Sequence, residues 1–224
     1  MAMGIAVLIV IYFIYKYIMK NIIGNSCSSS YLTKNFEKHN FINPFCWNII
    51  DFNSMYNLIK NYDTINWKNY ALKKENDNSF SIIIDGIVNV NYVHYKYNAN
   101  VDKKIVETDE GTDFISKNIE PYLIEKYETR VKRMNELNIP PIFILASRNL
   151  VCKNNYTPEQ IKQILELNTP YIIIAATEFK IDYTISQNYK FKNREIINLP
   201  QNKIRNNGLP LAEYIATHST ILHY

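Results

Sequence analysis

The chain has 224 residues, of which 47% are apolar and 21% charged, so it is long enough for a substantial core and too apolar for an intrinsically disordered protein. Its three cysteines exclude a disulfide scaffold, and its five glycines and eight prolines exclude a fibrous or linker-like chain. A net charge of only +4 gives no reason to expect nucleic acid as a partner.

The first element of the chain is a hydrophobic N-terminal segment, residues 1–18. Residues 2–15 carry no charge, and Lys16 and Lys20 follow them. Since a membrane-spanning helix needs about 20 apolar residues, we interpret residues 1–18 as a candidate membrane anchor. A buried strand or helix is the alternative, and a start of the chain at Met19 is a third interpretation.

The same lysines predict where the rest of the chain lies. If residues 1–18 span a membrane, the positive-inside rule places the body of the protein in the cytoplasm. An odd number of cysteines, three, also fits a reducing compartment. The 30 Asn, 35 Ile and 18 Tyr are typical of AT-rich coding DNA, such as that of a large DNA virus. We therefore expect a virus-encoded protein in its host cell, either membrane-associated with a cytoplasmic body or wholly cytoplasmic.

Residues 19–224 show no internal repeat and no strong domain boundary, so we predict a single domain. A first helix is predicted to open around Ser26 and to end before Pro44, and a second is predicted over residues 47–62. Residues 80–84 and 87–97 read as two strands of a hairpin, because Asp85-Gly86 between them is a turn signal.

Helices and strands alternate in the second half of the chain. An apolar stripe predicts a helix over residues 120–137, followed by a buried strand at 142–146. Thr157-Pro158-Glu159-Gln160 is a capping box that predicts a helix to about residue 167, and residues 171–176 form another buried strand. The early hairpin argues against a purely parallel sheet. The fold class predicted is therefore α+β or mixed α/β, with at most three layers.

Few chemical motifs are present. The chain has no Walker loop, no Gly-x-Gly-x-x-Gly and no Cys-x-x-Cys, and its four histidines lack the spacing of a zinc protease. We therefore predict no cofactor and no metal.

One pair of residues suggests nucleophilic chemistry. Cys27 follows a Gly-Asn-Ser turn and opens the first predicted helix, where the backbone N–H groups and the helix dipole lower a thiol pKa below its free value of ~8.5. The same N–H groups can bind an oxyanion. A nucleophilic cysteine needs a base, and His94 on the strand after the hairpin is the best candidate. The alternative is a buried structural cysteine and a packed histidine.

Several motifs resemble those of one family. Gly24-Asn25-Ser26-Cys27, followed by Asn43-Pro44-Phe45-Cys46-Trp47, is similar to the pattern of papain-like cysteine peptidases first catalogued as a domain of unknown function. Members open with a strand, a Gly-x-x-Cys turn and a helix, then carry Pro-Phe-Asp-Trp and His-Asp-Phe motifs. A helix with spaced arginines and a hydrophobic strand follow, as Arg130, Arg133 and residues 142–146 do here. The order matches over residues 22–176.

The resemblance implies a papain-like layout, with the cysteine at the start of a helix packed on a mixed or antiparallel sheet. It implies a peptidase or related thiol hydrolase that acts on amide or ester bonds of a protein or peptide-like substrate. Cys27 would be the nucleophile and His94 its imidazolium partner. Asn25, with Asn21 as the alternative, would complete the oxyanion hole, and Asn149 would orient the imidazole.

Two positions depart from the family pattern. Cys46 stands where members have Asp, and Tyr95-Lys96 follows His94 where Asp-Phe is usual. The alternative hypothesis is therefore an inactive papain-like module that serves as a membrane-anchored binding or structural protein. Arg130 and Arg133 are predicted either to face solvent or pair with Glu128 or Glu136, or to clamp a carboxylate or phosphate.

Overall fold

The computed structural model describes residues 21–24, 43–46, 48–97, 114–116, 119–147, 157–167, 171–176, 194–198, 209–219 and 221–223. In chain order, the described elements are β1 (Asn21–Gly24), β2 (Ile49–Ile50), α1 (Phe52–Asn61), β3 (Tyr70–Lys74), β4 (Ser79–Ile84), β5 (Val88–Tyr97), β6 (Phe114–Ser116), α2 (Ile119–Leu137), β7 (Pro141–Ser147), α3 (Pro158–Leu165), β8 (Tyr171–Ala176), β9 (Arg194–Asn198), α4 (Leu209–His218) and a 3-10 helix (Ile221–His223).

Four strands form a parallel sheet in the order β1-β7-β8-β9. Successive side chains alternate between two cores, because neighbouring residues of a strand point to opposite faces. Ile22 and Ile142 pack with Ile215 of α4 on one face, while Ile23 and Phe143 join the larger core on the other. Burial of both faces explains why residues 142–145 of β7 read as a continuous apolar run.

The remaining strands form a second sheet around the predicted hairpin. β3, β4 and β5 are an antiparallel meander, while β2 and the parallel strand β6 also pair with β5. At the β4–β5 turn, Asp85 and Gly86 have φ values of 51° and 70°, and the Ile87 N–H donates to the Ile84 carbonyl at 3.0 Å. Two left-handed central residues are the requirement of a type I′ turn, so the hairpin prediction is confirmed.

The two sheets share the larger core with α1, α2 and α3. Tyr62, just after α1, illustrates this contact, because its ring lies 5.6 Å from that of Phe143 in the parallel sheet. The described part of the chain is therefore α+β, as predicted. The strand that leads to Cys27 nevertheless joins the parallel sheet rather than a mixed or antiparallel one, since β1 pairs with the distant β7.

The second predicted helix begins later than its sequence pattern indicates. Residues 47–62 were predicted to be helical, but α1 covers Phe52–Asn61, because Ile49 and Ile50 pair with β5 as a short strand. Asp51 then starts the helix: its carboxylate accepts from the N–H and the hydroxyl of Ser54, both at 2.9 Å. Met55, Leu58 and Ile59 are buried, as the apolar spacing predicted.

The later helices agree with their local signals. α2 starts one residue before the predicted position, and its stripe residues Leu123, Tyr127, Val131 and Met134 are buried. Both hydrogen bonds of the capping box at Thr157 form, and α3 ends at Leu165, two residues before the predicted end. The strands predicted at 142–146 and 171–176 are β7 and β8.

The candidate anchor, residues 1–18, lies outside the described residues. Within the described ranges, no helix has both the length and the apolar character needed to cross a membrane.

Replacement of the α1 cap tests this account of where the helix begins. Asp51→Ala should lower the free energy of unfolding by about 1 kcal/mol, since Ser54 loses its acceptor at the helix N-terminus. Urea denaturation at neutral pH measures the change. Asp63→Ala, an exposed carboxylate just beyond the helix, is the control and should change stability by less than about 0.5 kcal/mol. Equal losses would contradict the capping role of Asp51.

Candidate active site

Three of the four predicted site residues, Asn25, Cys27 and Asn149, lie outside the described residues. The strands that precede them are described: β1 ends at Gly24 and β7 at Ser147. These strands are parallel neighbours, with Gly24 in register with Ile144. The segments that follow β1 and β7 therefore begin at the same end of the parallel sheet, the carboxyl ends of its strands. Ligands usually bind at this end of such sheets.

The fourth predicted residue, His94, lies in an irregular part of β5. Phe80 of β4 pairs with Tyr92, but the adjacent Ser79 pairs with Lys96, so β5 carries three additional residues at this point. On the other edge, the pairing with β2 ends at Asn91, and that with β6 begins at Tyr95. Among the described strands, none has a residue in register with His94. Such bulges are over-represented beside active sites.

The residue after His94 is buried and held by a lysine. Tyr95 is 4% exposed, and its hydroxyl accepts a hydrogen bond from Nζ of Lys126 on α2. The ammonium lies 4.7 Å from the ring centroid of Tyr95 and 5.6 Å from that of Tyr122. The position where the family has Asp therefore carries no carboxylate, and a phenol paired with a cation takes its place.

The stretch that begins at Asn43, the second part of the predicted resemblance, lies against β1. Asn43 is fully buried and donates from Nδ2 to the Ile22 carbonyl at 2.9 Å and to Oδ1 of Asn21 at 3.2 Å. Its own Oδ1 accepts from the Phe45 N–H at 3.0 Å. We define residues 43–46 as the motif segment. One asparagine thus ties this segment to the strand that leads to Cys27.

Asn21 itself has a structural role. Its Nδ2 donates to the Tyr62 hydroxyl at 3.1 Å and to the Ile139 carbonyl at 3.2 Å, and its Oδ1 accepts from Asn43. Both amide hydrogens of Asn21 are engaged in these contacts, and its role as the alternative oxyanion donor stays a prediction.

Arg130 joins the motif segment to α2. The side chain is only 6% exposed, and Nη1 donates to the carbonyl oxygen of Cys46 at 3.3 Å. Burial raises the pKa of the Tyr92 hydroxyl well above its usual value. The positive charge of Arg130 acts in the opposite direction, so Arg130 interacts electrostatically with a residue of the core. The prediction that Arg130 faces solvent is therefore wrong.

The two glutamates proposed as arginine partners are engaged elsewhere. Glu128 accepts from the hydroxyl of Tyr70 at 2.6 Å, and Glu136 lies 3.9 Å from Nζ of Lys132. Cys46, at the other departure from the family pattern, is buried, and its thiol lies 3.7 Å from Oδ1 of Asn43.

Sequence reasoning missed Lys126 and Asn43. Lys126 falls within the apolar stripe of α2, three residues after Leu123 and four before Arg130, so a lysine at a buried position was the available signal. Asn43 gave no comparable signal, since 30 asparagines occur in the chain. In the parts of the chain that the structure describes, no cluster of three His, Cys, Asp or Glu side chains is arranged to hold a metal.

Comparison of the chain with protein-family models, curated proteins and solved structures finds no match. The resemblance of the Gly24–Cys27 and Asn43–Trp47 motifs to papain-like peptidases therefore stays a prediction from sequence.

Removal of the Asn43 side chain should detach the motif segment from β1. Asn43→Ala leaves the buried Ile22 carbonyl and Phe45 N–H without their partner, so we expect a loss of about 2–3 kcal/mol in the free energy of unfolding. Asn57→Ala is the matched control, because it removes one exposed hydrogen bond to the Ile87 carbonyl and should cost about 1 kcal/mol or less. Urea unfolding distinguishes the two, and similar costs would contradict the bridging role.

Tyr62 gives a pH-dependent test of the same contacts. Burial raises the pKa of Tyr62 to about 12, although the hydrogen bond from Asn21 acts in the opposite direction. Because the folded-state pKa exceeds the unfolded value of ~10, the contribution of Tyr62 to stability is complete below pH ~10 and is lost as the pH rises to about 12. Tyr62→Phe should flatten the fall in urea midpoint over this interval. An unchanged slope would contradict the assignment.

Proposed function

We propose that the protein is a papain-like thiol hydrolase that acts on amide or ester bonds of protein or peptide-like substrates, with Cys27 as nucleophile and His94 as its imidazolium partner. One observation carries the proposal. Two buried cations on α2, Lys126 and Arg130, hold the two parts of the chain on which this pair depends. Arg130 binds the motif segment attached to β1, and Lys126 binds the residue after His94.

The spacing of these cations supports a common site. Lys126 and Arg130 are four residues apart, so their Cβ atoms lie about 6 Å apart on one face of the helix. The strand that precedes Cys27 and the bulge that contains His94 are thus tied to neighbouring turns of the same element. A nucleophile and a base from distant parts of the chain need such a common support.

The proposed reaction has two steps. The Cys27 thiolate attacks the substrate carbonyl, the bond to the amine or alcohol breaks, and the leaving group takes a proton from the His94 imidazolium. Water then hydrolyses the thioester and restores the free thiol, with His94 as the base. Asn25 and the backbone N–H of Cys27 are proposed as oxyanion donors, and Asn149, which follows β7, as the residue that orients the imidazole.

A second function is an inactive papain-like module that binds a partner, with residues 1–18 as a membrane anchor and the body in the cytoplasm. Cys46 and Tyr95 support this alternative. Both are buried where the family pattern has Asp, so neither position supplies a carboxylate to orient an imidazole. The two functions differ in the state of the Cys27 thiol, because only a hydrolase needs it activated.

The rate of iodoacetamide alkylation of Cys27 against pH separates these functions. Mass spectrometry of the full-length chain in mild detergent reports Cys27, Cys46 and Cys152 separately. An activated thiol should be labelled rapidly at about pH 6, well below the ordinary thiol pKa of ~8.5. His94→Ala should slow that labelling at least about tenfold, because the imidazolium no longer stabilises the thiolate.

His218→Ala is the matched control, since His218 is exposed at the end of α4. It should leave the Cys27 profile unchanged. Labelling of Cys27 that rises only near pH ~8.5 and is the same in His94→Ala would contradict the hydrolase and favour the binding module.

A further inference from the structure

We propose that Lys126 is a positioning residue for His94, and that it acts through its hydrogen bond to Tyr95. The inference rests on the proposed function, in which His94 is the partner of Cys27. It assigns a role in the site to a residue on α2 that the sequence motifs do not include.

The irregular pairing of β5 creates the need for such a residue. Strand ladders normally fix each backbone position, yet no described strand has a residue in register with His94. Three residues lie between Tyr92 and Lys96, which face adjacent residues of β4. Among the described residues, those that anchor this part of β5 lie on either side of His94.

Buried tyrosines provide these anchors. Tyr92 is 1% exposed and Tyr95 is 4% exposed, and both belong to the same core, with ring centroids 5.9 Å apart. In a regular strand, residues three apart point to opposite faces. The bulge allows both rings to enter one core, so the buried Tyr95 ring and the pairing of Tyr95 with Phe114 of β6 together hold the residue next to His94.

Lys126 holds Tyr95 in that core. Its ammonium donates to the Tyr95 hydroxyl and lies near the rings of both Tyr95 and Tyr122, while the lysine itself is 9% exposed. Burial of an ammonium is costly, and Met or Leu at this position would fill the space without that cost. An apolar residue could not donate the hydrogen bond to Tyr95, so this bond gives a physical reason for a lysine at position 126.

Imidazole NMR of the full-length chain with ¹³C-labelled histidine tests the inference. His94→Ala assigns the His94 signal among the four histidines. Tyr95→Phe keeps the ring and removes only the hydroxyl, and it should shift or broaden the His94 signal. Lys126→Met should have the same effect on the His94 signal. Lys126→Arg retains a donor and should restore the wild-type signal. His218 serves as an internal control that should not move.

Alkylation of Cys27 at about pH 6 provides the functional readout. Tyr95→Phe should slow it about tenfold, the factor expected for the loss of one charge-assisted hydrogen bond. Tyr70→Phe is the control, because it also removes a tyrosine hydroxyl's hydrogen bond to a residue of α2, here the exposed contact to Glu128, while Tyr70 pairs with Ile84 at the other end of β4 from Ser79 and Phe80. Its rate and its His94 signal should equal those of the wild type.

The outcomes are separable. A His94 signal that is unchanged in Tyr95→Phe overturns the positioning role, whatever the alkylation shows. A His94 signal that responds to Tyr95→Phe and recovers in Lys126→Arg supports it, even if Lys126→Met fails to fold. The Cys27 profile of His94→Ala decides the proposed function independently, since it involves neither Lys126 nor Tyr95.

Discussion

Two buried cations about one turn apart on α2, Lys126 and Arg130, link this helix to the second sheet and to the motif segment. Lys126 binds the second sheet at Tyr95, and Arg130 binds the motif segment, which Asn43 ties to the parallel sheet. Apolar packing between the sheets is non-directional and tolerates small displacements. These hydrogen bonds fix specific atoms of both sheets to the same helix, so they determine how precisely the two sheets are held relative to each other.

The sequence predicted secondary structure correctly where the relevant residues lie close together in the chain. The Asp85-Gly86 turn, the stripe of α2 and the capping box at Thr157 depend on residues within a few positions of one another, and all three form as predicted. The predicted start of the second helix was wrong because Ile49 and Ile50 fit a helix pattern as well as a strand pattern. Which of the two they adopt depends on their pairing with the distant β5. The strand β3 was missed because most of its residues are exposed.

The candidate site was less predictable than the fold. His94 could be chosen from its residue type and its strand, but the bulge around it follows from the register of β4, which no local pattern encodes. Arg130 was assigned to a surface because spaced charges on a helix usually face solvent. Its burial follows from the position of Cys46, 84 residues earlier in the chain. Long-range contacts of this kind account for most of what the sequence did not reveal.

The parallel pairing of β1 with β7 also constrains how the protein is made. Asn21 is in register with Pro141, so 120 residues must be synthesised before β1 meets its partner. At about 5–20 residues per second, that interval lasts roughly 6–24 seconds. During it, the apolar Ile22 and Ile23 have no sheet to join, while the local hairpin of the second sheet is free to form within microseconds. All the described strands of the second sheet are therefore synthesised before β7, so that sheet can form while the apolar β1 still lacks its partner.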